Sequence, residues 1–221
     1  MSANSGFAHR STANAHTRVR QFSGEQSCRR DRGRTRRAGR SALAALAGFL
    51  SDDIRAVVDL DAVHLDADRY TFHPDLPGLA FVGMWDQSGG YFVPLELQAR
   101  WIAYTWGGAI PAPDETIQRL AVGAYRSQRG MSQKTRMNLV ALTFARAAGV
   151  EPDLRNWPHI RRALLFGPLA PSCFRLEGPD ALPDAAIRFE RDAAAFGAIT
   201  SNELTKRESR YWSLVEAGLS G

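Results

Sequence analysis

The stretch that decides the fold is residues 79–101, which read LAFVGMWDQSGGYFVPLELQARW. It opens with a short apolar run, residues 79–84, which predicts a buried strand. The Ser88-Gly89-Gly90 segment predicts a flexible turn, and Pro94 stands where a first helical turn tolerates proline. A strand, a glycine turn and a helix in this order often hold a nucleotide cofactor, because the N-terminus of the helix directs free N–H groups at the turn.

The helix that follows is predicted to continue to about Trp106, where Gly107-Gly108 supplies a left-handed stop. Its residues are apolar nearly all round, which predicts a buried helix. Glu96 and Arg100 are spaced i to i+4 in the favourable order. We therefore expect the Glu96 and Arg100 side chains to form an ion pair along the one polar edge of the helix.

Four further helices are predicted downstream, in residues 114–124, 132–148, 183–196 and 202–217. Asp114 is a good N-cap for the first, and Gly149 a stop for the second. The apolar positions are expected to face the core. They are Ile117, Leu120, Ala121 and Ala124 in the first helix, Met137, Val140, Ala141, Phe144 and Ala148 in the second, and Tyr211, Trp212, Leu214 and Val215 in the last.

The first forty residues differ in composition from the rest of the chain. They hold ten Arg, no Lys and two acidic residues, a net charge of +8, whereas the whole chain carries +5. The remainder is therefore slightly acidic, at −3. A polar, strongly charged composition of this kind predicts a disordered tail.

Three interpretations of the tail stay open. Its Arg clusters, at Arg29-Arg30 and in residues 34–40, are typical of an arm that binds nucleic acid or a membrane surface, an interpretation that we do not favour. An Arg-rich, Ser-rich and acid-poor segment also resembles a transit peptide. Our preferred hypothesis is that the segment is an out-of-frame product of a GC-rich gene, which the upstream nucleotide sequence would test.

Histidine and cysteine provide no recognisable metal site or disulfide framework. These residues are His9, His16, His64, His73, His159, Cys28 and Cys173. His73 is expected to be a satisfied loop residue. We expect a reducing, cytoplasmic location, since nothing indicates a disulfide and no apolar C-terminal anchor is present.

Three blocks of the sequence together resemble the C-terminal part of the flavin-containing monooxygenases. The first is Thr71-Phe72-His73-Pro74-Asp75-Leu76-Pro77-Gly78, the second is residues 81–101, and the third joins Phe166-Gly167-Pro168-Leu169-Ala170-Pro171 to Phe174-Arg175-Leu176 and Gly178-Pro179. The resemblance covers roughly residues 49–186. Arg175 belongs to the third block, and we expect it to pair with a carboxylate, the alternative being a substrate or cofactor phosphate.

The resemblance implies an incomplete α/β fold in three parts. Residues 1–45 are the disordered Arg-rich tail. Residues 46–110 are the C-terminal end of a dinucleotide-binding, Rossmann-like FAD domain, which contributes its terminal strand, turn and helix. Residues 111–221 are a mainly α-helical C-terminal region.

The resemblance also nominates a site and its cofactors. The flavin-facing turn would consist of seven residues, namely Gly83, Asp86, Gln87, Ser88, Gly89, Gly90 and Tyr91. The cofactors would be FAD and NADPH. The activity would be NADPH- and O2-dependent oxygenation of a nitrogen, sulfur or ketone centre in a small molecule. No residue of the chain is nominated as catalytic, and the substrate is not indicated.

The pyrophosphate-binding turns of such an enzyme are missing from this sequence, which contains no Gly-x-Gly. We therefore expect a truncated chain that binds FAD weakly and does not turn over alone. Two rival interpretations are a non-catalytic or degenerate helical protein and a nucleic-acid-binding module led by the Arg-rich tail. The degenerate form would self-associate through exposed apolar surface, with residues 79–84 the place to look.

Overall fold

A computed structural model describes residues 45–60, 64–85, 87–127, 135–197 and 205–219. The α-helices that lie wholly within these ranges with stated bounds are α1 (Asp52–Val57), α2 (Phe92–Trp106), α3 (Glu115–Arg126), α4 (Met137–Ala147), α5 (Arg161–Phe166), α6 (Ala185–Ala195) and α7 (Lys206–Leu219). A 3₁₀ helix spans Pro171–Arg175. Two short parallel strands, β1 (Gln87–Ser88) and β2 (Thr135–Arg136), pair Gln87 with Thr135 and Ser88 with Arg136. The described part of the chain is thus mainly helical, as predicted for its C-terminal half.

The main core forms where α2 packs on α4, the most extensive contact between two elements. Trp101 and Leu97 of α2 meet Phe144 of α4, and Phe174 of the 3₁₀ helix and Phe189 of α6 extend the same cluster. A second, smaller cluster surrounds Val58, Leu65, Ala67 and Phe81. Five of the site residues nominated from the sequence, residues 87–91, directly precede α2, next to the main core.

The predicted strand over residues 79–84 does not form. Ala80 makes an isolated antiparallel bridge with Phe72, and the Phe81 N–H donates to the Thr71 carbonyl at 2.9 Å. Phe81 is buried, but Val82 is 45% exposed. A strand requires a neighbour along its length, and within the described residues only this short bridge lies beside the segment. The Rossmann-like sheet therefore stays a prediction from the family resemblance.

The predicted helix α2 is confirmed, but it is buried on one face only. It begins at Phe92, two residues before the proline, and Phe92 itself is 88% exposed. Its buried positions are Pro94, Leu97, Gln98, Arg100, Trp101 and Ile102. Gly108 has φ of 71°, which confirms the left-handed stop.

Helix α3 is also confirmed, with the Asp114 carboxylate accepting a hydrogen bond from the Ile117 N–H at 3.0 Å. The prediction of its core face was wrong. Gln118 and Val122 are buried, whereas Ile117 and Leu120 of the predicted apolar stripe are exposed. The reason is that α3 packs on a polar segment, described below, and ion pairs to that segment, from Arg119 to Asp75 and from Arg126 to Asp66, set its orientation.

Helix α4 buries Val140, Ala141 and Phe144 as predicted, and Ala148 just beyond its end is buried too. Gly149 has φ of 67° and ends it. In α7 the prediction was partly wrong, since Tyr211 and Leu214 are exposed. Residues 1–44, with the predicted Arg-rich tail, and Asp86 lie outside the described residues.

Candidate functional site

The glycine turn joins β1 to α2 and lies beside the start of α4. Gly89 has φ of 107°, a conformation that favours glycine. A Cβ added there would lie 3.1 Å from the Met137 Cβ, closer than an ordinary contact. A Cβ on Gly90 would meet the Met137 Sδ at 3.6 Å, which is ordinary contact. The close approach that requires Gly89 is therefore to helix α4.

Gln87 is buried, and both ends of its side-chain amide are used inside the turn. Its Oε1 accepts a hydrogen bond from the Trp85 Nε1 at 2.9 Å, and its Nε2 donates to the Gly90 carbonyl. Trp85 is buried and stacks on Tyr91 with ring centroids 6.3 Å apart. Gln87 thus fixes the shape of the turn from within.

The start of α2 faces outward. Ser88, Gly89, Gly90, Tyr91 and Phe92 are all exposed. Tyr91 provides no side-chain cap, and Pro94 has no N–H. The N–H groups of Phe92 and Val93, in the first turn, have no partner within the helix itself. A helix of fifteen residues adds a partial positive charge at this end. The turn therefore presents an apolar, weakly electropositive surface.

Gln98 supports this turn from below, and its role was not predicted from the sequence. Its Oε1 accepts from the Gly83 N–H at 2.9 Å, and its Nε2 donates to the Phe81 carbonyl at 3.0 Å and to the Thr71 Oγ1 at 2.7 Å. The side-chain amide takes the place of a peptide group on a neighbouring strand. The sequence indicated Gln98 only as a polar residue on a face of α2 whose neighbouring positions are apolar.

A chain of ion pairs connects residues 174–180 to α2. Arg175 donates to Glu96 at 2.9 Å and to Asp180, and Arg100 donates to Asp180 and to the Phe174 carbonyl at 2.9 Å. The expected self-pairing of Glu96 with Arg100 was wrong, because each finds a partner in residues 174–180. The expected pairing of Arg175 with a carboxylate is confirmed.

Burial and charge act in opposite directions within this ion-pair chain. Burial alone would raise the pKa of Asp180, but the Tyr104 hydroxyl and the guanidinium groups of Arg100 and Arg175 outweigh it and lower that pKa. Burial, followed by the hydrogen bond to Asp180, raises the pKa of Tyr104. The Arg100 Nη1 is buried and has no hydrogen-bond partner within the described part of the chain. The chain of charges holds α2 in place and lies on its inner face.

A second polar cluster lies under α3, in residues 64–75. Asp66 is fully buried, with Oδ1 2.6 Å from the His64 Nε2 and Oδ2 accepting from the Arg126 Nε at 2.7 Å. The His73 Nδ1 accepts from the Asp75 N–H at 3.1 Å, which confirms His73 as a satisfied loop residue. Burial lowers the pKa of His73, with smaller effects from the neighbouring charges. The described residues contain no cluster of three or more His, Cys, Asp or Glu suited to a metal ion.

Curated relatives share sequence with this chain over part of its length. Dimethylaniline monooxygenase (N-oxide-forming) 2 of Rattus norvegicus and of Mus musculus are each 29% identical to it over 143 residues, and flavin-containing monooxygenase 5 of Cavia porcellus is 27% identical over 146 residues. This chain is similar to the flavin-containing monooxygenases over more than half of its length. The matches cover 59% of it and 26% of each relative, so the chain spans about a quarter of their length. No protein-family model matches.

The likeness to these monooxygenases confirms the resemblance predicted from the three sequence blocks. Of the residues that it nominated, the structure brings Gln87, Ser88, Gly89, Gly90 and Tyr91 together at the start of α2. Gly83 lies next to Leu95, to whose Cδ2 an added Cβ would approach within 3.2 Å. No helix in the described ranges combines the length and apolar character needed to cross a bilayer.

The residues present fit one part of a flavin cofactor and not the other. The exposed, uncapped start of α2 suits the electron-rich edge of a planar ring, and Tyr91 and Phe92 offer apolar surface beside it. Gln87 and Gly89, however, are already used within the turn. Neither a glycine-rich turn for the pyrophosphate nor a surrounding cradle is present in the described residues 79–85 and 87–92.

Proposed function

We propose that this chain provides the flavin-edge surface of a flavin-dependent, monooxygenase-like protein. The observation that carries the proposal is the sequence likeness to flavin-containing monooxygenases, combined with the exposed turn at the start of α2. Bound FAD, reduced by NADPH, would supply the oxygen chemistry on a nitrogen, sulfur or ketone centre. The chain's own part is to orient the ring edge and to cover it with apolar side chains.

Within this proposal the seven nominated residues have different roles. Ser88, Gly90 and Tyr91 are exposed and contact the cofactor, while Gln87 and Gly83 shape the turn through Trp85 and Gln98. Gly89 allows the turn to approach α4. Asp86 stays a prediction, as do the Rossmann-like domain, NADPH as the reductant and the cytoplasmic location.

The first experiment is to purify the chain and record its absorbance between about 350 and 500 nm before and after excess FAD is added. We expect no retained flavin and weak binding on addition, because the pyrophosphate turns are absent from the sequence. We also expect no NADPH oxidation that depends on the chain. Steady NADPH oxidation would contradict the prediction that this chain does not turn over alone.

The position of binding is tested with two matched surface variants. Phe92→Glu places a carboxylate at the start of α2, where an electron-rich ring edge would meet it, and Phe196→Glu makes the same change at a comparably exposed site beyond α6. Flavin-fluorescence quenching should weaken in Phe92→Glu and stay unchanged in Phe196→Glu. Equal quenching by both variants would show that FAD does not bind at this turn.

A non-catalytic protein is the second candidate, and the internal use of Gln87 and Gly89 favours it. It predicts no saturable quenching of FAD fluorescence in the wild-type chain. The Arg-rich tail supports a third candidate, a nucleic-acid-binding module. That candidate predicts binding that falls steeply with salt and disappears when residues 1–40 are deleted.

A further inference from the structure

Helix α3 is attached to the polar segment 64–75 by two units of the same composition. In each unit a histidine is followed two residues later by an aspartate, and that aspartate accepts from an arginine of α3 at 2.7 Å. The units consist of His64, Asp66 and Arg126, and of His73, Asp75 and Arg119. The two arginines are seven residues apart, about two helical turns, so both reach the segment from one face of α3.

The two histidines differ in what a proton would do to their hydrogen bonds. The His64 Nε2 lies 2.6 Å from the Asp66 Oδ1, and a protonated ring, in which both nitrogens are donors, keeps that contact. The His73 Nδ1 instead accepts from the Asp75 N–H at 3.1 Å. A proton on that nitrogen leaves the Asp75 N–H without this acceptor. It also makes the ring a competitor of Arg119 for the Asp75 carboxylate, whose Oδ2 lies 3.9 Å from the Nδ1.

The docked helix adds to the cost of protonating His73, whose ring is buried. Asp75 and Asp66, in the same polar segment, favour the proton. Arg119 and Arg126, on α3, oppose it. Burial is the largest effect, and together with the two arginines it lowers the pKa of His73 below the ordinary value of 6.5.

Undocking of α3 would change the charge around this ring in one direction. The guanidinium groups of Arg119 and Arg126 would leave with the helix, whereas the carboxylates of Asp66 and Asp75 would stay in the segment. His73 therefore binds a proton more tightly when α3 is undocked than when it is docked. A ligand that prefers one of two states shifts the equilibrium toward that state, and here the ligand is the proton.

We propose that His73 is a pH-sensitive switch for α3, whose neutral ring supports the docked helix and whose protonation weakens the docking. The docking is strongest where the ring is neutral in both states. It weakens as the pH falls below the pKa of the undocked ring, and becomes constant again below the lower pKa of the docked ring. The inference does not depend on flavin binding, because the two units contain none of the residues nominated for the flavin-facing turn.

Hydrogen exchange of the α3 backbone amides measures the docking. A helix of twelve residues is marginal in water on its own, so α3 loses its protection when it undocks. After correction for the intrinsic pH dependence of exchange, we expect the protection of α3 relative to α4 to fall by roughly threefold or more from about pH 7.5 to about pH 5.5. Helix α4 is the internal reference, since its buried residues are all apolar.

The variant His73→Asn removes the titrating group and keeps an acceptor. The asparagine carbonyl can accept from the Asp75 N–H in place of the Nδ1, and it takes up no proton in this pH range. The protection of α3 in this variant should not change with pH. His159→Asn is the matched control and should keep the wild-type fall, because the His159 side chain is 56% exposed and lies 3.9 Å from Glu190, outside the two units.

A second measurement leaves His73 in place. The NMR titration of its ring gives its pKa in the docked chain, and Arg119→Met removes a guanidinium that opposes the proton. The pKa of His73 should therefore rise in Arg119→Met. Arg188→Met is the matched control and should leave that pKa unchanged, because it removes an exposed pair with Asp184 at the start of α6.

Three results would overturn the proposal. One is protection of α3 that does not change with pH in the wild type. Another is a fall that His73→Asn leaves intact, which would assign it to His64 or a carboxylate, or that His159→Asn removes as well. The last is a pKa of His73 that is the same with and without Arg119, which would show that the ring and α3 are not coupled. That result applies even if His73→Asn does not fold.

Discussion

Helices α2 and α3 follow one another in the chain and are both rich in apolar residues, yet they dock in opposite ways. Helix α2 buries Leu97 and Trp101 against α4 and pairs its charged side chains with residues 174–180. Helix α3 meets the fold through Arg119 and Arg126 and leaves Ile117 and Leu120 outside. The partner surface therefore decides which face of a helix is buried, and an apolar stripe alone does not.

The largest expected effect contrasts a core residue of α2 with a stripe residue of α3. Trp101 is 2% exposed and contacts Phe72 and Phe144, with ring centroids 4.8 and 6.2 Å away. Trp101→Ala should lower the free energy of unfolding by about 3–5 kcal/mol, because it opens a large cavity. Leu120→Ala should change it by no more than about 0.5 kcal/mol. Urea unfolding measures both, and a large loss in Leu120→Ala would show that the stripe is buried.

Two glutamines extend the comparison to buried polar groups. Gln98→Leu should lower the free energy of unfolding by about 2–3 kcal/mol, because the Gly83 N–H and the Phe81 carbonyl lose their partner. Gln118→Leu, at the buried face of α3, is the matched control and should cost less than about 1 kcal/mol. Faster hydrogen exchange at the Gly83 amide in Gln98→Leu is the more specific measurement. Unchanged exchange there would contradict the supporting role of Gln98.

The ion pairs under α3 should differ in strength according to the burial of the carboxylate. Arg126→Met removes a partner of the fully buried Asp66, and because more than half of the Arg126 side chain faces water we expect a loss of only about 1 kcal/mol. Arg119→Met removes a pair in which both side chains are about half exposed, and should have no measurable effect. Thermal unfolding of Arg126→Met and Arg119→Met at low and high salt measures the two effects. Equal losses of stability in both variants would indicate that α3 is held by something other than Asp66.

Much of the helical fold could be predicted, because caps and stops act locally. Asp114, Gly108 and Gly149 behave as their sequence contexts indicated. Periodicity also identified the face of α4, since α4 packs on apolar neighbours. The face of α3 could not be predicted in the same way, because it depends on Asp66 and Asp75, which lie about 40 to 60 residues earlier in the chain.

The candidate site could be located from the sequence but not assigned in detail. The glycine turn and the helix after it are present, whereas the strand before them is not, since a strand depends on neighbours that no single segment encodes. Gly89 illustrates the difference. Its conformation fits the sequence expectation, but its close neighbour is Met137 of α4. Only the three-dimensional packing shows whether a glycine makes room for a ligand or for another helix.

The smallest effect concerns Asp68, in the polar segment on which α3 lies. Asp68 is 1% exposed, its Oδ2 accepts from the Arg69 Nη1 at 3.0 Å, and its Oδ1 has no hydrogen-bond partner in the described structure. Burial raises its pKa above the ordinary value of 3.8, against a smaller opposing effect of Arg69. Asp68→Asn should therefore stabilise the fold at neutral pH, by an amount on the order of 0.5–1 kcal/mol.

The pH dependence of that gain follows from the direction of the shift. A carboxyl with a raised pKa in the folded chain holds its proton more tightly there than in the unfolded chain, so its contribution to stability is full below about 3.8 and is lost as the pH rises through the folded pKa. The asparagine does not titrate. The difference in melting temperature between Asp68→Asn and the wild type should accordingly vanish well below pH 3.8 and reach its maximum above the folded pKa of Asp68. A gain independent of pH would show that the buried charge is not its cause, and that the polar segment under α3 accommodates Asp68 as well as it does Asp66.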